Sequence, residues 1–199
     1  MRVSAADPHR SSGQPASARS GRCSADLVEI AALRDGTAAV EALAARRGWR
    51  LPAPGRNFVA PGQIAISVRP GRWLLLSAPA APGKGAAAWE KECIGIAAAV
   101  DLSSALTVLW LEGPACRELL ARGCRLDLDA SVFPSGHAAA TIMAQVAVIL
   151  VALSSGVLLL TPTTTARHFS EWLAHTAAPF DFEALEALSF ENLSGDQSR

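Results

Sequence analysis

The sequence predicts an α+β fold in which two split βαβ (ferredoxin-like) halves form one compact unit. Three observations lead there. Short apolar runs with strand character alternate with runs of helical spacing, and in the first half they follow β-α-β-β-α-β, the split βαβ order. From Leu106 the chain begins again and repeats most of that order. A length of 199 residues is enough to bury a core as one domain, or as two small halves sharing one. The halves fall at about 25–101 and 102–178, between a 1–24 tail expected to be disordered and a 179–199 C-terminal tail.

Taken in order, residues 27–33 (LVEIAAL) read as a strand. Residues 36–47 read as an amphipathic helix with Val40, Leu43 and Ala44 inward and Glu41, Arg46 and Arg47 outward. Trp49 and the Pro52, Pro54 and Gly55 cluster end that helix, and the segment through Pro61 reads as a loop by its turn residues. Strands over 64–69 and 72–78 meet across Pro70 and Gly71 as a hairpin, followed by a helix over 84–93 and a strand over 95–101. Leu106–Glu112 has the β-branched and aromatic content of a strand covered on both faces. Gly113 breaks it, and Pro114 suits the first position of a helix over 114–122. Ala115, Cys116, Leu119 and Leu120 form the apolar stripe of that helix, and Gly123 stops it as a left-handed cap. Residues 123–136 (GCRLDLDASVFPSG) read as an irregular connector closed by Pro134 and Gly136. Strands over 141–153 and 157–161 and a helix over 165–176 complete the second half.

Composition excludes several function classes. Eighteen basic and eighteen acidic side chains balance, which gives no electrostatic footprint for nucleic acid. Cys23, Cys93, Cys116 and Cys124 lack CxxC or Cys/His ligand spacing, so they read as free thiols in a reducing, cytoplasmic setting. The polar N-terminus has no apolar segment of the kind a secretory signal needs. Residues 138–160 carry no charge over 23 positions and would register as a membrane span. Ser154, Ser155 and Gly156 interrupt the run, Ile and Val crowd it, and no Lys/Arg cluster or aromatic belt brackets it. A buried β-hairpin fits better than a single-span membrane protein. The tail from Pro179 sets Phe180, Phe182, Leu185, Leu188 and Phe190 among acids, and it reads either as a docking tail or as disorder.

Candidate chemistry is sparse. Gly83, Lys84 and Gly85 head a helix, but no GxxxxGKS/T spacing exists and Ala86 stands where a magnesium-binding hydroxyl would be needed. No GxGxxG turn follows a strand, as flavin or NAD binding would require. His168, Glu171 and His175 share a helix face, yet the two histidines stand roughly 10 Å apart along the axis, too far for one zinc ion. His137 is a lone turn histidine. Asp101, in a DLS step, reads as a cap or turn residue. The sequence therefore points to no catalytic, cofactor-binding or metal-binding residue.

The order DLS, apolar strand, GP, short helix, LLxxGCxLDL and FPxG over 101–136 resembles the gamma subunit of the heterotetrameric sarcosine oxidases. That subunit is similar in fold to the folate-dependent aminomethyltransferases of the glycine cleavage system. RPGRWLLL at 69–76 and TARHFSEWLAHT at 165–176 extend the likeness, which is strongest over 69–173. The resemblance implies an aminomethyltransferase-like fold and a non-catalytic subunit bracing alpha, beta and delta partners in the bacterial cytoplasm. FAD, FMN, NAD and tetrahydrofolate would sit on those other chains, with none on this one. The folate enzymes carry catalytic carboxylates in their central sheet, whereas residues 130–166 here contain no Asp or Glu. That argues against a stand-alone tetrahydrofolate-binding relative. Trp49, Trp73, Trp89, Trp172 and Phe182 are the candidate partner-interface anchors, and Trp110 is assigned to the core. Which N-methylated amine the assembly oxidises is not written in this chain.

Overall fold

A computed structural model describes residues 17–194. The first half runs β2 (Asp26–Ala32), α1 (Thr37–Arg46), β3 (Arg56–Ala60), β4 (Gln63–Arg69), β5 (Arg72–Ser77), α2 (Lys84–Glu92) and β6 (Ala97–Asp101), after a preceding strand β1 (Ser17–Cys23). The second half runs β7 (Leu106–Glu112), α3 (Cys116–Ala121), β8 (Ala138–Met143), β9 (Val146–Ala152), β10 (Gly156–Pro162), α4 (Thr163–Thr176) and β11 (Asp181–Leu188), then a short α5 (Phe190–Ser194). Each half is therefore β-α-β-β-β-α-β, a split βαβ unit with one added edge strand. The sheets show the same repeat, in the orders β3-β4-β5-β2-β6 and β8-β9-β10-β7-β1-β11.

Side-chain alternation explains how the halves stack. Along β7, β9 and β10, Leu109, Leu111, Val148, Leu150 and Leu159 face α3 and α4, where Leu119, Leu120, Phe169 and Leu173 meet them. The alternate residues Val108, Trp110, Val151, Leu158 and Leu160 face the other sheet and meet Leu27, Ile64, Ile66, Leu74 and Leu76. Beyond that sheet, Val28, Ile30, Trp73 and Leu75 pack under Val40, Leu43, Ala44, Ala86 and Trp89 of α1 and α2. The result is four layers, helices over sheet over sheet over helices. Strands covered on both faces read as nearly continuous apolar runs, which accounts for the uncharged stretch at 138–160. No helix among the described residues is long and apolar enough to cross a membrane.

Several expectations need correction. The apolar stretch holds three strands where the sequence suggested a two-stranded hairpin, because Ala144 and Gln145 both take positive φ (49° and 66°) and turn the chain. A turn of that kind is ordinarily announced by Asn-Gly, and Ala-Gln gives no such signal. The supposed loop before Pro61 contains β3, whose edge position leaves its residues half-exposed. The tail expected over 1–24 supplies β1 at Ser17–Cys23, seated between β7 and β11; residues 1–16 lie outside the described residues. The 179–199 tail likewise supplies β11 and α5, and Phe190 and Leu193 bury into the inter-sheet core. Residues 195–199 lie outside the described residues. Helix α3 begins at Cys116, two positions after Pro114. Gly123 is absent from the left-handed residues and has a packing role, since an added Cβ would stand 2.3 Å from the Trp172 ring.

Non-glycine residues at positive φ cost on the order of 1 kcal/mol each. Replacing the pair by Ala144→Asn and Gln145→Gly should therefore raise stability by about 1–2 kcal/mol, read as a Tm increase of roughly 2–8 °C in thermal unfolding.

Candidate functional site

The chain passes from one sheet to the other twice, between β1 and β2 and between β6 and β7. A cleft of 460 Å³ opens beside these crossings, lined by residues that include Cys23, Asp26, Asp101, Ser103, Thr107 and Thr163. The DLSS step at its centre is held by hydrogen bonds. Ser103 N–H donates to Asp101 Oδ1 (2.9 Å), an Asx turn, and Gly83 N–H donates to Asp101 Oδ2 (2.9 Å). The Ser103 hydroxyl accepts from Leu27 N–H (2.9 Å) and lies 3.2 Å from Asp26 Oδ1, its one proton shared between the Asp26 and Asp101 carboxylates. At the rim, the Thr107 and Thr163 hydroxyls lie 3.2 Å apart.

This arrangement joins the halves. Hydrogen bonding from Ser103, its hydroxyl and then its backbone N–H, holds the Asp101 carboxyl below the usual carboxylate range, and Gly83 N–H adds to it. A carboxylate engaged on both oxygens and kept ionised is a turn-former and cap, as its sequence context suggested. It also closes the phosphate question at α2. Asp101 accepts from the Gly83 amide, and the nearly buried Asp26 carboxylate packs on Gly85, where an added Cβ would stand 2.0 Å from Oδ2. Two carboxylates hold the place an anion would need at that helix start.

The remaining sequence candidates are scattered. His168 and His175 are exposed on α4, and Glu171 is paired with Arg167 (2.9 Å). No group of His, Cys, Asp or Glu among the described residues could hold a metal ion. All four cysteines are free thiols. Burial pushes the Cys23 thiol up to about 11 and the Cys116 thiol up to about 12, so neither is a thiolate near neutral pH. The groove between the sheets, 360 Å³, is lined by apolar residues such as Leu106, Ile149 and Leu160, with Arg69 and Thr141 as polar contributions. Its lining holds no carboxylate.

The aromatic anchors divide by burial. Trp73 (3 % exposed) and Trp89 (4 %) are core residues, enclosed where an interface anchor would have to be exposed. The Trp73 indole N–H donates to Pro52 O (3.0 Å), and Trp89 carries the Arg47 guanidinium over its ring at 4.2 Å. Trp49 is half-buried edge-to-face on Trp89, with centroids 6.4 Å apart, and Trp172 is half-buried against Phe169 at 5.5 Å. Phe182 is half-buried on β11. Trp110 lies in the core at 3 % exposure, its N–H donating to Glu112 Oε2. Sequence reasoning missed Leu33, Ile94 and Val100, exposed at 50, 81 and 45 %. Val100 lies on the edge strand β6, and Leu33 N–H donates to Ile96 O (2.9 Å) just before that strand begins. The available signal was Ile94 between Cys93 and Gly95, an apolar side chain placed in a turn.

With that architecture in view, relatives are recognisable. Residues 35–179 match the model of the sarcosine oxidase, gamma subunit family. The chain belongs to the sarcosine oxidase gamma subunit family. Its fold is similar to a chain of the heterotetrameric sarcosine oxidase from Corynebacterium sp. U-96, solved in complex with pyrrole 2-carboxylate. That likeness has a TM-score of 0.72 at 24 % identity over 82 % of this chain and 85 % of that one. It is also similar to the glycine cleavage system aminomethyltransferase T from Bartonella henselae, with a TM-score of 0.61 at 18 % identity, over 86 % of this chain and 48 % of that one. No curated protein sequence matches the chain. For this gamma subunit family member, β1, β2 and β11 lie outside the matched residues, although all three are integral to its sheets.

Asp101→Ala should lower stability at pH 7 by about 1–2 kcal/mol, since two N–H donors lose a charged acceptor. Because the folded-state pKa of Asp101 is depressed, its contribution is present above the unfolded value of about 4 and is lost as pH falls through the lower folded value. Unfolding curves of wild type and variant should therefore differ at neutral pH and converge as the medium is acidified through that window.

Proposed function

We propose that this chain is the structural gamma-type subunit of a heterotetrameric sarcosine oxidase, or of a related N-methyl amino-acid oxidase, in the bacterial cytoplasm. The observation that carries this reading is the family match over residues 35–179. The αββα fold similar to a chain of a heterotetrameric sarcosine oxidase supports it. In this assignment alpha, beta and delta chains bear FAD, FMN, NAD and tetrahydrofolate, oxidise sarcosine to glycine and handle the released one-carbon unit. The gamma chain contributes a rigid, doubly covered sandwich against which they pack.

Among the described residues, the side chains best suited to such packing are the half-buried Trp49, Trp172 and Phe182 and the exposed Leu33, Ile94 and Val100 beside β6. An edge strand with one charged residue and exposed apolar side chains near it is a liability for a free monomer and a useful surface for a subunit. Only Asp101, at the far end of β6, carries charge on that strand.

Tagged expression alongside the genomic neighbours tests the proposal. The expected outcome is a yellow assembly of fixed stoichiometry in which this chain is retained with a flavin-bearing large subunit. A colourless monomer that brings down no partner would contradict it.

A further inference from the structure

We propose that the cleft at the start of β3 is an oxyanion-binding site for the carboxylate or phosphate group of a small molecule, with Arg50 and Arg56 as its charged residues. The cleft encloses 390 Å³ between residues 50–53, the first residues of β3 and the turn at Gly136. That volume lies within the range of small-ligand sites. Its lining contains two guanidinium groups and no carboxylate.

Each guanidinium meets an aromatic ring. Arg50 lies over the Phe58 ring at 4.9 Å. Arg56 Nη1 donates to the His137 ring, whose Nδ1 also lies 3.0 Å from Pro134 O. Arg56 Nη1 also lies 2.9 Å from that Nδ1, so the guanidinium sits across the edge of the ring. Arg19, Arg47, Arg72, Arg122 and Arg167 each face a carboxylate, whereas among the described residues neither Arg50 nor Arg56 does.

The floor of the cleft is rigid because the two sheets are stitched together there. Asn57 N–H donates to Gly136 O (2.9 Å), and Ala138 N–H donates to Gly55 O (2.9 Å). The Asn57 side-chain amide donates to His137 O (2.8 Å) and Ala152 O (3.1 Å). Two preset guanidinium forks on a fixed platform lose little freedom on meeting an oxyanion, and guanidinium geometry matches carboxylate and phosphate oxygens.

The test is an amide NMR titration of the full 199-residue chain with inorganic phosphate and, separately, succinate, each against sodium chloride at equal ionic strength. Saturable shifts at Asn57 and Gly136 are expected with at least one probe, at a Kd of about 1 mM or tighter. Arg50→Ala/Arg56→Ala should weaken that binding at least ten-fold, while Arg46→Ala, at an exposed position on α1, should leave it unchanged. Shifts no larger than those with chloride, shifts centred elsewhere in the wild-type chain, or undiminished binding in the double variant would overturn the proposal. The wild-type shift map decides the matter even if the double variant fails to fold.

Discussion

The pairing of β1 with both β7 and β11 is the interaction on which the second sheet depends. Arg19 to Cys23 run antiparallel to Glu112 to Val108 on one side, and Ser17 to Cys23 run parallel to Asp181 to Leu188 on the other. In the first half, β6 pairs directly with β2. In the second half the equivalent strands, β11 and β7, are separated, and β1 fills the gap. Without it one edge of β7 would present unpaired backbone groups, and β11 would have no neighbour among the described strands. Gly113 is shaped for the arrangement. Its φ is 104°, and a Cβ there would stand 2.6 Å from Ser17 O.

From that seat the rest follows in order. The chain leaves β1, crosses at Ser24 and Ala25, and enters the other sheet as β2, so the first crossing joins the halves before either is complete. The return crossing at residues 102–105 is braced by Asp101 and Ser103 against Asp26, Leu27 and Gly83. Between the crossings, the facing sides of both sheets bury a shared apolar layer centred on Leu76, Leu158 and Ile66. Side chains of that kind contribute roughly 1.5–3 kcal/mol each on full burial, which is why the facing sides tolerate so few polar residues. Phe190 and Leu193 of α5 enter the same layer, so the C-terminal segment is part of the core packing.

Much of this was legible where periodicity and turn chemistry agree. Val40, Leu43 and Ala44 were placed on the buried face of α1 and are its buried residues, and β7 has the limits its composition indicates. Asp101 was legible because a short carboxylate before a serine favours local backbone bonding. The misses have physical causes. Strand β1, SARSGRC, is polar and glycine-containing, and its order comes from partners distant in sequence, which local pattern does not report. The Ala144-Gln145 turn lies inside an apolar run with no turn residue to mark it. Among the tryptophans, residue type alone could not separate Trp73 and Trp89, enclosed by α1, α2 and their sheet, from half-buried Trp49 and Trp172. The exposure of Leu33, Ile94 and Val100 is set by the fold, which leaves β6 at a sheet edge.

The functional assignment rests on family membership, and the chain consists of two packed repeats with a shared core, joined at their crossings by the Asp26, Asp101 and Ser103 network. That arrangement depends on residues 17–23 being a structural strand. Native-state hydrogen exchange tests that most directly. The amides of Ser20 and Gly21 in β1 should be protected to the same degree as that of Leu109 in β7, exchanging only through global unfolding. Exchange of the β1 amides at the rate of an unstructured segment, with Leu109 still protected, would contradict it.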